Sequence, residues 1–470
     1  MTRFLNSIRY PHIARVLAAC VLLACGAAEA WGAVYTWAGN SSTEWDDTTN
    51  WDTGAVPTSS DDVVIPSGCT YYPILTASLE VESLTVDAGA SLDCSTYSVT
   101  ASSGFTNDGT MRFGGTANTI DSGTASYGTS NTIEYYGGGT CEALTGTGAP
   151  AETDYNNLTV TGSDTVLNLG SQSITVAGTL SNEGTITVNG TGVFNLTGTA
   201  DQDSGLIKYS STTATTTAIP AIGFYDLEVS GGTWTDAAAL TVTNNMTVSS
   251  GVFTVSNLIT ATGGNVTVSG GTAAFNGGIT ASSGTITEAV SMTVGGTFTA
   301  AQFNITAEST LTLSSDTKFS APIALSGALT IVTGSTPYTI EFGGNVTCTT
   351  YALETTETGT VTVDSGATLS STGTLTFNGA VTNKGTVNAA NVNLSGDLDN
   401  SGGTQFSATG TTALSPSSSL TITGNSSDAT KTSFNTLSLT GAGGKTLTVS
   451  NRITVGTIAL SGSDISNLLT

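Results

Sequence analysis

Leu84-Thr85-Val86-Asp87-Ala88-Gly89-Ala90-Ser91-Leu92 and Val361-Thr362-Val363-Asp364-Ser365-Gly366-Ala367-Thr368-Leu369 are two copies of one pattern. Each is an apolar-threonine-apolar triplet, a corner of Asp, Gly, Ser and Ala, and the start of another strand. Roughly 22 residues after each copy begins come Asn107-Asp108-Gly109-Thr110-Met111 and Asn383-Lys384-Gly385-Thr386-Val387, and a third copy runs from Leu158 to Asn182-Glu183-Gly184-Thr185-Ile186. Ile133-Glu134-Tyr135 and Ile207-Lys208-Tyr209 lie 74 residues apart, as do Leu84 and Leu158. Leading positions at 84, 158, 227, 305, 361 and 437 define imperfect units of roughly 70 residues.

Inside a unit the period is two. Leu158-Thr159-Val160-Thr161, Val266-Thr267-Val268 and Leu447-Thr448-Val449 put aliphatic side chains on one face and threonine on the other. Gly, Asn, Asp and Ser interrupt this alternation too often for long hairpins, and no helix-length apolar stripe follows residue 30. One coil per roughly 20 residues fits, giving near 20 coils and a rod on the order of 90 Å long. The expected fold is all-β, a single-stranded right-handed parallel β-helix. In Asn-x-Gly-Thr, glycine is expected to supply a positive φ at the corner, and asparagine to cap the turn or bond the next coil. The Asn-x-Thr triplets at Asn157, Asn195, Asn245, Asn265, Asn304 and Asn345 read as turn-to-strand junctions before they read as glycosylation acceptors.

Residues 1–30 carry the three parts of a secretory signal: Arg3, Arg9 and Arg15, then the apolar run 16–24, then Ala28-Glu29-Ala30. Cleavage near Ala30, and a secreted or cell-surface location, are expected. Leu22-Leu23-Ala24-Cys25 is a competing lipoprotein-like box. Without residues 1–30 the chain has 34 acids and 7 bases, a net charge near −27, which disfavours nucleic acid and anionic lipid as partners. No later stretch is long and apolar enough for a transmembrane helix.

Residues 31–75 form a head whose composition differs from the solenoid assigned to residues 76–470. Trp31, Trp37, Trp45 and Trp51 fall within it. Trp37, Trp45 and Trp51 suit either a glycan platform, with aromatic faces for sugar rings, or a cap that closes the first coil. The cap is the stronger of the two expectations. Cys69, Cys94, Cys141 and Cys348 remain after the signal; Cys69 and Cys94 are the nearest in sequence and the natural disulfide candidates, with buried free thiols as the alternative.

LSNEGTITV (residues 180–188), FTNDGTMRF (105–113) and YNNLTVTG (155–162) resemble the coils of bacterial autotransporter and filamentous-haemagglutinin-type adhesin passengers. The resemblance spans roughly residues 76–470. It implies a parallel β-helix that works by adhesion, with extracellular glycans, surface proteins or other copies of itself as partners.

The only histidine, His12, lies in the signal segment, so no Ser-His-Asp or Cys-His constellation can form in the mature chain. Carboxylate chemistry on a polysaccharide is the enzymatic alternative, with Asp61 and Asp62 or Asp46 and Asp47 as candidates. Neighbours along a strand point to opposite faces, however, which argues against either pair as a dyad. Neither an EF-hand loop nor a Gly-Gly-x-Gly-x-Asp series is present. The expectation is a non-catalytic protein with no cofactor and no dedicated metal site. Thr-x-Thr pairs invite an ice-binding reading, but units of uneven length do not give the flat, constant register it needs.

Overall fold

The computed structural model describes residues 32–461 apart from 202, 212–215, 237, 334–335, 349–352, 357–358, 417–418 and 441–445. The signal segment, Trp31 and Cys25 lie outside the described residues. Parallel strands stack into a β-solenoid of about 19 turns, and the only helical elements among the described residues are two 3-10 turns, Thr48–Asn50 and Ala429–Lys431. No described helix is long and apolar enough to cross a membrane.

The stack starts inside the Trp-rich head. Strand β1 (Val34–Thr36) pairs in parallel with β2 (Asp62–Ile65), β2 with β3 (Leu79–Val86), and, beyond β4 (Ser91–Ser95), β3 pairs with β5 (Val99–Asn107). The sheet therefore runs across residue 75. On a second side β4 supports β6 (Thr110–Phe113), which supports the strand Thr132–Tyr135. From Thr140 to Ser461 one winding sheet holds 30 of the described strands.

Alternation along each strand becomes columns through the stack. Met246, Val266, Ile286, Phe303, Ile323, Val346, Leu369, Val387 and Phe406 are successive register partners, all buried. Outside, Thr247, Thr267 and Thr287 form the matching ladder. Each fully buried aliphatic or aromatic side chain contributes about 1.5–3 kcal/mol, so the inner columns carry most of the stabilisation. Phe298, Phe319 and Phe342 stack with ring centroids 5.6 and 6.0 Å apart, one ring per coil.

The structural period is the coil, not the longer motif spacing. Leu84 pairs with Val63 and Phe105, whereas Leu158, 74 residues on, pairs with Ile133 and Leu180 on a different side of the stack. The corner glycines also divide their work differently from the expectation. Positive φ belongs to Gly89 (+82°) and Gly366 (+88°), in the Asp-x-Gly-Ala corners. Gly109 of Asn-x-Gly-Thr is needed for close approach: a Cβ there would sit 2.5 Å from the Asp87 carbonyl oxygen of the preceding coil. Asparagine does both things expected of it. Asn107 and Asn383 each accept the amide of the glycine two residues on, at 3.1 Å, and Asn383 donates to Asn400 Oδ1 of the next coil at 2.7 Å.

Four of the Asn-x-Thr asparagines also reach across coils, beginning with Asn157, whose Oδ1 accepts the Thr179 amide at 2.9 Å. Asn245 Oδ1 accepts the Asn265 amide at 3.1 Å, Asn265 Oδ1 accepts the Thr285 amide at 2.9 Å, and Asn345 Oδ1 accepts the Thr368 amide at 2.9 Å. These side chains tie coils together, as turn-to-strand junctions should.

Candidate functional site: the groove beside the tryptophan cap

The first coil would leave the outer edge of β1 unpaired, a row of backbone groups open to any other strand. The chain covers that edge itself. Residues 50–52 return antiparallel to it: the Asp52 amide donates to the Thr36 carbonyl at 3.1 Å, the Ala38 amide to the Asn50 carbonyl at 2.7 Å, and Trp37 and Trp51 are bridged. Asp52 Oδ1 accepts the Thr36 amide at 3.0 Å.

Two buried polar side chains hold this return in place. Asn50 is completely buried; its Oδ1 accepts the Ser41 and Ser42 amides at 2.9 and 3.1 Å, and its Nδ2 donates to Ser42 Oγ and the Glu44 carbonyl, both at 3.1 Å. Asp61 accepts the Ala33 amide at 3.1 Å and both the amide and hydroxyl of Thr58 at 2.8 and 2.6 Å. These bonds, the Thr58 hydroxyl first, hold its carboxyl below the usual range, so it stays ionised. Neighbouring Asp62 bonds the Ser83 hydroxyl on the opposite side, and Asp47 caps the 3-10 turn through Thr49, so neither proposed aspartate pair converges on a point.

The tryptophans fill the space beneath. Trp45 and Trp51 meet edge to face at 4.8 Å, Trp37 and Trp51 at 5.1 Å, and Trp37 stacks near Trp45 at 6.2 Å. Trp37 Nε1 donates to the Tyr71 carbonyl at 2.8 Å and Trp51 Nε1 to the Trp45 carbonyl at 2.9 Å. This corrects the platform expectation: Trp37 is fully buried and Trp51 is 3% exposed, so their faces are spent on one another. Among the described tryptophans of the head, Trp45 is the most exposed, at 6%, and keeps an edge at the surface.

That edge borders a groove of about 310 Å³ between the segments Trp45–Asp46, Val56–Ser59 and Leu75–Glu80. The floor is apolar. Its rim carries the Asp46 and Glu80 carboxylates and the hydroxyls of Thr58, Ser59, Thr76 and Ser78, with no basic residue. The Leu75–Glu80 wall is fixed by backbone bonds, Leu75 to the Asp93 carbonyl at 2.8 Å and Leu79 to the Ser98 carbonyl at 2.9 Å. Sequence reasoning reached Trp45 and Asp46 but not Glu80 or the 56–59 wall, because three separate segments meet only once the first coil closes.

The disulfide expectation is also corrected. Cys69, Cys94, Cys141 and Cys348 are all free thiols. Cys69 lies in the head, its thiol 3.5 and 3.4 Å from the Trp37 and Pro66 carbonyls, whereas Cys94 is buried in the core from β4. Burial pushes both thiols up and takes Cys348 to about 12, which keeps them protonated. Among the described residues no three His, Cys, Asp or Glu side chains are grouped to hold a metal.

A charged ladder stands on the side of the stack formed by β4 and β6. Arg112 lies between carboxylates of the coils before and after it, 2.9 Å from Asp93 and 3.0 Å from Glu134. Its guanidinium also sits 4.5 Å over the Tyr136 ring, and the Tyr136 hydroxyl donates to Asp93 at 2.6 Å. Burial and that bond push the Tyr136 hydroxyl up to about 12. Spacing of one coil between residues 93, 112 and 134 was the available signal.

The geometry defines the class of protein, a parallel β-solenoid with a folded aromatic cap. Residues 36–135, which hold the three cap tryptophans, the whole groove and Arg112 with both of its carboxylate partners, match a protein-family model described as a domain of unknown function (DUF8693). No curated protein and no solved structure matches the chain.

Proposed function

We propose that this is an exported, non-catalytic β-helical protein that acts in adhesion or extracellular structure, secreted or held at the outer cell surface after cleavage near Ala30. The observation that carries the reading is the stack of about 19 coils, whose inner columns make it rigid and whose outer ladders carry small polar side chains over successive levels, threonine at 247, 267 and 287. At about 4.8 Å per coil such a rod is close to 90 Å long, and it offers many weak, regularly spaced contacts, which is the physics of avidity. Asp47 and Asp61, candidates for a polysaccharide-cleaving enzyme, are engaged in holding the cap, which favours the non-catalytic reading.

Attachment of the purified chain from residue 31 to intact cells and to immobilised polysaccharides tests this. Retention that rises steeply with surface density of the protein is expected. Turnover of a uronic-acid polysaccharide, abolished by one aspartate substitution, overturns it. N-terminal sequencing of the exported form tests the processing site; a lipid-modified Cys25 or an intact cytoplasmic Met1 overturns the expected route.

A further inference from the structure

The groove beside Trp45 has the character of a small-ligand site, and the structure points to its ligand class. We infer that it binds a sugar ring bearing an ammonium group, an amino sugar at the end or within a glycan chain. This rests on the adhesion reading and names the chemistry of one contact within it.

Three observations lead there. The first is preorganisation: Trp45 is locked by two other tryptophans, and the wall at Thr58 is clamped by Asp61, so little ordering remains to oppose binding. Size is the second, because about 310 Å³ admits one or two sugar rings but little more. The third is the pairing of surfaces. An apolar floor of Trp45, Val56, Leu75 and Leu79 suits the C–H face of a pyranose, while hydroxyls at the rim suit its equatorial groups. Asp46 and Glu80, both exposed at that rim without a basic neighbour in the lining, repel a uronate and attract an ammonium. The net charge of the whole chain, −25, acts in the same direction.

The test is calorimetric titration of the chain from residue 31 with glucosamine trimer, N-acetylglucosamine trimer, cellotriose and a uronic-acid trimer, with tryptophan fluorescence recorded in parallel. Binding of the glucosamine trimer is expected to be about tenfold tighter than that of its acetylated or neutral counterparts, and to weaken about tenfold in the double variant Asp46→Asn, Glu80→Gln or on raising salt. The variant Ala77→Trp, which fills the groove from an exposed position, should abolish binding while the circular dichroism spectrum keeps its strand signature. Equal binding of all four trimers, binding unchanged in the variants, or no binding at millimolar ligand each overturns the inference. Amino-sugar binding that persists in a protein failing to attach to cells would instead overturn the adhesion reading alone.

Discussion

The head and the repeated coils are built from the same strands yet are held together differently. In coils such as those around residues 246–406, a side chain matters as one member of a column, and its loss is shared by neighbours above and below. In the head, Asn50, Asp61 and Trp51 each make bonds that nothing else duplicates. A repeat distributes its stability; a terminus concentrates it.

The largest expected effect follows from that contrast. Trp51→Ala removes the ring at the centre of the cap and the bond to the Trp45 carbonyl, and should cost about 3–5 kcal/mol locally. Hydrogen exchange should show residues 34–65 losing protection while the coils beyond residue 246 keep theirs; uniform loss along the chain would break the comparison.

One-off positions also occur among the coils, and a buried carboxyl gives the next effect. Glu288 is an inward-facing residue between Val268 and Ile305, fully buried, with neither carboxyl oxygen hydrogen-bonded. Burial pushes it up to about 8, with the Ser309 hydroxyl acting in the opposite direction. The folded protein therefore keeps a proton that the unfolded chain releases near the usual 4.5. Stability should fall by about 1.4 kcal/mol per pH unit between roughly pH 4.5 and pH 8, and be flat in this term outside that window. Glu288→Gln should remove most of that slope, a difference readable in thermal scans at pH 5 and pH 8. An unchanged slope would show that the acid is already ionised in the fold.

Arg112→Met leaves Asp93 and Glu134 facing each other without their bridge, and should cost about 1–2 kcal/mol. Denaturant melts of the variant and the parent chain sharpen the comparison, because this ladder is a one-off interaction outside the head. The smallest effect belongs to the outer columns: Thr267→Val should change stability by less than about 0.5 kcal/mol, since the position is half-exposed and its neighbours Thr247 and Thr287 remain.

Period-two alternation and the Asp-x-Gly-Ala corners made the solenoid readable from the sequence, because each coil obeys a local rule that the next repeats. The cap was readable as a composition change, four tryptophans where the coils have almost none. The groove was not, since its three segments are joined only by folding. Alternation across Ile286-Thr287-Glu288 does place Glu288 inward, but a carboxyl inside an apolar column is the one residue such a pattern gives no reason to expect. The long motif spacing misled for a related reason: Leu84 and Leu158 share a local grammar of strand and corner, and a grammar that serves every side of the stack cannot say which side a strand occupies.

Parallel stacking also sets how this molecule responds to tension. The bonds between coils lie along the rod, so under a pull on its two ends the coil interfaces carry the load in series and can give way one coil at a time. Each coil that comes away exchanges about 4.8 Å of rod for about 65–70 Å of extended chain. A tether built this way lengthens under a sudden load instead of snapping, and the columns inside each coil favour rewinding once the load is gone.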